Sequence, residues 1–321
     1  MRDHVLTALK ELAKKDKRIY LFTGDLGYIV LDDYKDSCPN QFINIGIAEQ
    51  NMTTLAAGMA KEGNIVFTYS IGNFPTLRCV EQIRNDVCYH NLNVKILAVG
   101  GGFVYGNQGI THHATEDIAI MRALPNMRVY VPGDAYEAVE CLKEAYLIDG
   151  PAYIRLARNK EQNYHYDSDT IDISKLVPIH TSGVGFAINI IVAGSVLCEG
   201  VKLLEFFRKH GVEVGLFSAV KLKPLDIAGI QELAKQCKLL VTIEDHQIVG
   251  GLGGAVAEAI SNIIEPHAVL YRAGLNNQFS EKTGSQEYLR DYYGISANKL
   301  FGNILDLYNT INAREKLGSE K

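Results

Sequence analysis

No Cys-x-x-Cys pair occurs among the six cysteines at 38, 79, 88, 141, 198 and 237, so the sequence offers neither a zinc ribbon nor a disulfide framework. Scattered thiols of this kind are expected to be buried and reduced in a cytoplasmic protein. Basic runs are missing too. With 32 basic against 37 acidic residues and a formal net charge of −5, the chain lacks the basic patch that nonspecific nucleic-acid or membrane-surface binding requires. The most apolar stretch, 184–198, is interrupted by Asn189 and Ser195 and is shorter than the roughly 18 residues of a membrane span. Met1-Arg2-Asp3-His4 runs straight into an amphipathic pattern, so no signal segment is expected. Neither Gly-x-Gly-x-x-Gly, nor a Walker pattern, nor Gly-x-Ser-x-Gly is present, which disfavours hydride transfer and serine hydrolysis.

What is present is an ordinary globular composition, 47% hydrophobic and 21% charged over 321 residues, long enough for two domains. Apolar residues at helical spacing (Val5, Leu6, Leu9, Leu12) precede a β-rich run at 19–23 that Gly24 stops. Strands are predicted at 42–45, 65–69, 94–99, 127–131 and 152–156. Helices are predicted at 49–62, 76–89, 118–123 and 135–147. A polar stretch beginning at Asn159 breaks the pattern. A second series follows, with strands at 187–193, 213–218 and 239–244 and helices at 199–210, 227–237 and 254–264. Strands alternating with helices imply parallel sheets covered on both faces. The expected architecture is therefore α/β with two mainly parallel sheets: a first domain at 1–158, a linker at 159–185 and a second domain at 186–321.

Ligands of such sheets sit beyond the carboxyl ends of the strands, which directs attention to four loops: Gly24-Asp25-Leu26-Gly27, Gly46-Ile47-Ala48-Glu49-Gln50, the glycine-rich 100–113 segment and 155–158. Glu49 precedes an alanine-rich helix, where it is either a partly desolvated functional carboxylate or a first-turn residue satisfying free N–H groups. His112 and His113 close a loop with five glycines. Either they carry protons at a ligand or one of them caps the next helix. No third residue at a recognisable spacing makes a metal site. Gly250-Gly251-Leu252-Gly253-Gly254, after Glu244-Asp245-His246, lacks the phosphate-loop patterns and is expected to serve close packing or a domain contact.

In order along the chain, Gly24-Asp25-Leu26, Gly46-Ile47-Ala48-Glu49-Gln50, Phe74 to Arg78 with Glu81-Gln82-Ile83-Arg84, Gly109-Ile110-Thr111-His112-His113, and Glu244-Asp245-His246 with Gly250-Gly251-Leu252-Gly253 resemble the C-terminal half of transketolase. The resemblance covers nearly the whole chain and implies a pyrimidine-binding domain followed by a transketolase-type C-terminal domain, with thiamine diphosphate as cofactor. It implies that Glu49 is the catalytic carboxyl that hydrogen-bonds the aminopyrimidine ring nitrogen and favours its imino tautomer, so that the cofactor's own amino group acts as base.

By the same resemblance Phe74 stacks on the pyrimidine, and Ile71 and Leu77 take pocket positions often aromatic in transketolases, with Tyr69 compensating. Asp25 lies near the cofactor, and His112 contacts the donor oxygen. Arg158 and Arg2 match arginines that bind the phosphate of sugar phosphates. Gln108 falls where the family has an aspartate that contacts the donor's hydroxyl, and an upstream active-site histidine aligns with Gly100 to Gly102.

The Gly-Asp-Gly that places Mg²⁺ and the diphosphate in this superfamily is absent. The chain is accordingly expected to be a transferase subunit that moves a two-carbon ketol unit between sugars or sugar phosphates, with Mg²⁺ held by a separate N-terminal, diphosphate-binding subunit in an α2β2 assembly. The alternatives are a β-type subunit of a 2-oxo acid decarboxylating enzyme, which Gln108 favours, an activity like that of 1-deoxyxylulose-5-phosphate synthase, and a non-catalytic scaffold subunit that retained the fold, against which Glu49, Phe74 and His112 together weigh.

Overall fold

Apolar runs without alternation become strands buried on both faces, as parallel sheets demand. The protein, seen in a computed structural model, is described over residues 1–158, 161–165, 170–181 and 185–319. Its strands are β1 (Ile19–Thr23), β2 (Phe42–Asn44), β3 (Ile65–Ile71), β4 (Val94–Val99), β5 (Arg128–Tyr130), β6 (Ala152–Leu156), β7 (Val177–His180), β8 (Ile188–Ala193), β9 (Val214–Ser218), β10 (Lys221–Lys223), β11 (Leu239–Gln247) and β12 (Val269–Leu275). Seven of them form one sheet in the order β10-β5-β6-β4-β3-β1-β2, and five form another in the order β12-β11-β8-β9-β7. All pairings are parallel except β10 with β5 and β7 with β9, in agreement with the two-sheet α/β expectation. Every residue of β4, β6, β8 and β11 is buried.

Two strands cross the expected partition. β7 lies within the 159–185 stretch and pairs antiparallel with β9, while β10 returns from the second half of the chain to edge the first sheet. Lys221 fixes that edge through an ion pair with Glu144 at 2.6 Å, and the Lys223 ammonium donates to the carbonyls of Arg122 and Leu124. Of the polar connection, residues 159–160, 166–169 and 182–184 lie outside the described residues. An apolar cluster joins the two sheets' layers, with Met121, Val131 and Tyr153 of the first packed with Ile191, Ala219, Leu252 and Val256 of the second.

The helix expected at 76–89 is instead a composite of a tight turn (Leu77–Cys79), a single α turn (Val80–Gln82) and a wide π-type stretch (Ile83–Cys88). Thr76 starts the distortion by donating its hydroxyl to the Gly72 carbonyl at 2.7 Å, and π-type turns are frequent at functional sites. Helices Asp32–Ser37, Gln286–Tyr292 and Ala297–Ser319 and strand β12 were not foreseen. β12 carries Arg272 and Gly274 in a strand at the edge of its sheet, a pattern that periodicity does not mark as strand.

Chain order reverses around β1: β2 adds on one side and β3 on the other. A crevice therefore opens at the carboxyl ends of β1 and β3, and the loops that begin at Gly24, Gly46 and Gly72 meet there.

Candidate functional site

Asn44, at the end of β2, ties the first two loops together. Its side-chain oxygen accepts the N–H groups of Asp25 and Gly46, each at 3.0 Å, and its amide donates to Asp25 Oδ1 at 2.9 Å. Asp25 itself adopts a φ of 54°, which an aspartate tolerates better than most side chains, and it also accepts from the Tyr28 hydroxyl at 3.1 Å. Gly46, with φ 80°, turns the chain toward Glu49, which opens the helix Glu49–Lys61. Where the family motif has alanine, this chain has Gly24. A methyl there would lie 3.5 Å from Glu49 Cγ, an ordinary contact, so the glycine is not enforced by packing.

Glu49 is 2% exposed, and its Oε2 accepts from Arg78 Nη1 at 2.8 Å. The same guanidinium lies 5.0 Å from the centre of the Phe74 ring. Phe74 is set by a turn in which its N–H donates to the Ile71 carbonyl at 2.8 Å, so half-buried Ile71 contributes the backbone of that turn. His112 meets Phe74 edge-on at 5.2 Å and Tyr105 at 6.2 Å. The Arg158 guanidinium lies 5.2 Å from the Tyr105 ring, and the Arg158 carbonyl accepts the N–H of Arg2 at 2.9 Å. A continuous line of contacts thus runs from Glu49 through Arg78, Phe74, His112 and Tyr105 to Arg158 and Arg2.

Partial burial pulls the His112 imidazole below its ordinary pKa, which keeps it neutral and able to accept a proton at neutral pH. Burial pushes the Tyr69 phenol up, against the nearby Arg2 guanidinium, and it likewise raises Tyr105 against Arg158 and Arg2. Both phenols therefore remain hydrogen-bond donors across the physiological range.

The two histidines part company. His113 is fully buried, bonded through Nδ1 to the Ser280 hydroxyl and through Nε2 to the Gly106 carbonyl. His112 stays at the crevice because Asn73 holds both neighbouring carbonyls, those of Thr111 at 3.2 Å and His113 at 2.9 Å. Gln108 is exposed in the turn Gly106–Gln108, its N–H bonded to the Tyr105 carbonyl, and stands outside the line of contacts.

Sequence reasoning passed over Asn73, included Arg78 in a family motif without giving it a role, and could not orient Tyr105.

The glycine-rich segment turns inward. A β-carbon on Gly100 would fall 2.2 Å from the Tyr105 ring, one on Gly101 2.5 Å from Arg155, and one on Gly102 2.3 Å from Asp245. These glycines admit the protein's own side chains, and the run that replaces the family histidine is filled by them. The Gly250 to Gly254 segment behaves as expected of a domain contact. Glu244 accepts the N–H groups of Leu252 and Gly253 at 2.7 and 2.8 Å, and Arg122 donates to the Gly250 carbonyl. Beside it Arg155 of β6 pairs with Asp117 and Asp245, each at 2.9 Å, and Arg290 pairs with Asp245 at 3.0 Å.

Among the described residues no group of three or more His, Cys, Asp or Glu side chains is arranged to hold a metal ion. No helix among them is long and apolar enough to cross a membrane.

The fold and the crevice define a pyrimidine-binding domain followed by a C-terminal domain of the thiamine-dependent kind. Residues 1–162 match the family described as transketolase, pyrimidine binding domain, and residues 180–300 match transketolase, C-terminal domain. The chain is 34% identical to one subunit of the apulose-4-phosphate transketolase of Phocaeicola vulgatus, over 79% of this chain and 81% of that protein. It is 30% identical to 1-deoxy-D-xylulose-5-phosphate synthase of Pelotomaculum thermopropionicum over 94% of this chain but 47% of the synthase, about half its length. Among solved structures, a split-gene transketolase described as an inactive β4 tetramer superposes with a TM-score of 0.86 and 31% identity, over 96% of this chain and 98% of that one. The protein belongs to the transketolase family and corresponds to the subunit of a split enzyme. That family uses thiamine diphosphate.

Proposed function

We propose that this chain supplies the pyrimidine half of a thiamine diphosphate site in a two-subunit transketolase and, with a separate diphosphate-binding subunit that holds Mg²⁺, transfers two-carbon ketol units between sugar phosphates. The observation that carries the reading is the buried Glu49 carboxylate at the sheet's topological switch point, joined through one arginine to the Phe74 ring. The donor set fits the group, since a buried acceptor and an aromatic face are what a flat, polar-edged pyrimidine requires. When bound, the cofactor supplies a nucleophilic carbon that accepts the donor's ketol unit.

Glu49 holds and orients the pyrimidine edge, and Phe74 its face. His112, neutral and beside Phe74, accepts or returns the donor's hydroxyl proton. Tyr105 and Tyr69 line the wall behind it, and Asp25 shapes the loop at the crevice mouth. Arg158 and Arg2, stapled backbone to backbone at the far end of the line, suit a phosphate. Exposed Gln108 reaches the donor from the rim. An α2β2 assembly, with this chain's own dimer inside it, accords with the length this chain shares with the apulose-4-phosphate transketolase subunit and with a β4 tetramer described as inactive.

A donor panel of xylulose 5-phosphate, fructose 6-phosphate and pyruvate, offered to the assembled complex, tests the proposal. Ketose turnover is expected. Turnover of pyruvate alone would overturn the ketol assignment in favour of 2-oxo acid chemistry, and pyruvate consumed with an aldose phosphate would favour the synthase-like activity.

A further inference from the structure

Arg78 contacts both groups that the preceding reading assigns to the pyrimidine. Its Nη1 donates to Glu49 Oε2 at 2.8 Å, and its guanidinium carbon lies 5.0 Å from the centre of the Phe74 ring. A guanidinium is planar, delocalised and weakly hydrated, with donors in its plane, so it can stack and donate at once. An aminopyrimidine is likewise flat with a polar edge. Both compete for the same carboxylate and the same ring.

The partners of this ion pair differ in exposure: the Glu49 side chain is 2% exposed and that of Arg78 48%. A buried carboxylate left without a partner is strongly destabilising. Arg78, whose other donors remain in water, satisfies it while staying free to leave. Its position is set by the distorted backbone after Phe74, where the Arg78 N–H donates to the Asn73 carbonyl at 3.4 Å in the turn that precedes the π-type stretch. The backbone thus places a cation opposite Glu49 without burying it.

We propose that Arg78 is a gate on the cofactor half-site: it pairs with Glu49 and covers Phe74 until the aminopyrimidine displaces it, so that the chain keeps its buried carboxylate satisfied before the two subunits and the cofactor come together. The inference rests on the assignment of Glu49 and Phe74 to the pyrimidine. Arg78 is on this account a positioning residue, and its removal strengthens cofactor binding, the opposite of what a cofactor or substrate contact would do.

Thiamine diphosphate with Mg²⁺ is titrated calorimetrically into the complex with the diphosphate-binding subunit, for the wild type and for Arg78→Ala, Arg78→Lys, Glu49→Gln and the double variant Glu49→Gln/Arg78→Ala. Removing a half-exposed ion pair and a cation–π contact from the competing state tightens binding by about tenfold in Arg78→Ala. Arg78→Lys, which keeps the charge and loses the planar stack, is expected between the two. It also serves if the alanine variant folds poorly. In the Glu49→Gln background the gain from Arg78→Ala shrinks to less than about twofold, because the neutral amide no longer holds the guanidinium.

Weaker or unchanged binding in both Arg78 variants overturns the gate. Wild-type affinity in Glu49→Gln overturns the assignment on which it rests. Weakening in Glu49→Gln together with weakening in the Arg78 variants removes the gate and leaves that assignment standing.

Discussion

Two groups of charged side chains lie on either side of the first sheet's carboxyl edge, and they are built in opposite ways. Around Arg155 every charged side chain is enclosed and paired with one of opposite sign, though among the described residues Asp117 Oδ1 accepts no hydrogen bond and Arg290 Nε donates none. Arg155, Asp117, Asp245 and Arg290 are each less than 5% exposed, and Arg155 also donates to the Ala114 and Asp245 carbonyls. Around Glu49 one buried carboxylate is answered by a cation that faces solvent. The closed network joins β6 of the first sheet to β11 of the second. The half-open pair lies at the topological switch point with an aromatic ring beside it. A buried carboxylate meets a guanidinium in both places, and what separates a site from a strut is whether that guanidinium is enclosed or can be exchanged.

The comparison can be broken from either side. Glu49→Gln is expected to lower turnover of the assembled enzyme on the order of a thousandfold while shifting the thermal midpoint little, because a neutral amide tolerates the loss of Arg78. Unchanged turnover would place Glu49 among the struts. Arg155→Ala should do the reverse, leaving buried Asp117 without its cation and Asp245 with Arg290 alone, and costing about 3–5 kcal/mol of stability. Chemical denaturation measures this directly, and a loss below about 1 kcal/mol would mean that the network is not what holds the sheets together.

His112→Ala is expected to lower kcat about a hundredfold with little change in stability, since among the described residues the partly buried ring meets Phe74, Tyr105 and Thr111 at the edge of the crevice. A change confined to KM would reduce its role to binding.

Glu244 gives the closed side a pH signature. Burial raises its carboxyl from 4.5 to about 7, against the two N–H groups at the start of the helix Leu252–Ile260. A folded-state pKa above the unfolded one means that the native state binds the extra proton. This contribution to stability is full below pH 4.5 and is lost as pH rises through about 7. Glu244→Gln should flatten that segment of the stability–pH profile, and an unaltered slope would show that the carboxyl is ionised throughout. The smallest effect belongs to Phe74→Ala, which should weaken cofactor binding by about 1 kcal/mol, roughly fivefold.

Much of this was legible in the sequence where local chemistry and global fold agree. The strands at 19–23, 94–99 and 152–156 are mainly apolar runs, broken only by Thr23, Lys95 and Arg155, and the structure places them at those residues. β10 escaped because three residues reading Lys221-Leu222-Lys223 carry no strand signal; only their pairing with β5 makes them one. The composite turn at 77–88 escaped because its apolar spacing matches an ordinary helix, while the distortion comes from Thr76 and Gly72 upstream.

At the crevice, chemistry alone left Glu49 open between capping and function, and the ordered family motifs singled it out. The role of Arg78 was invisible for a different reason. It depends on a turn that brings residues 29 positions apart to 2.8 Å, and no periodicity encodes such a meeting. The glycines at 100–102 illustrate the converse, since a composition that fits a ligand loop serves the approach of Tyr105, Arg155 and Asp245.

The most direct test of the half-site is a calorimetric titration of thiamine diphosphate with Mg²⁺ into this chain alone and then into its mixture with the diphosphate-binding subunit. Binding in the mixture only, abolished or weakened by Glu49→Gln, is the predicted result. Tight binding to the chain by itself would mean that these residues hold the diphosphate as well, and would contradict the two-subunit account.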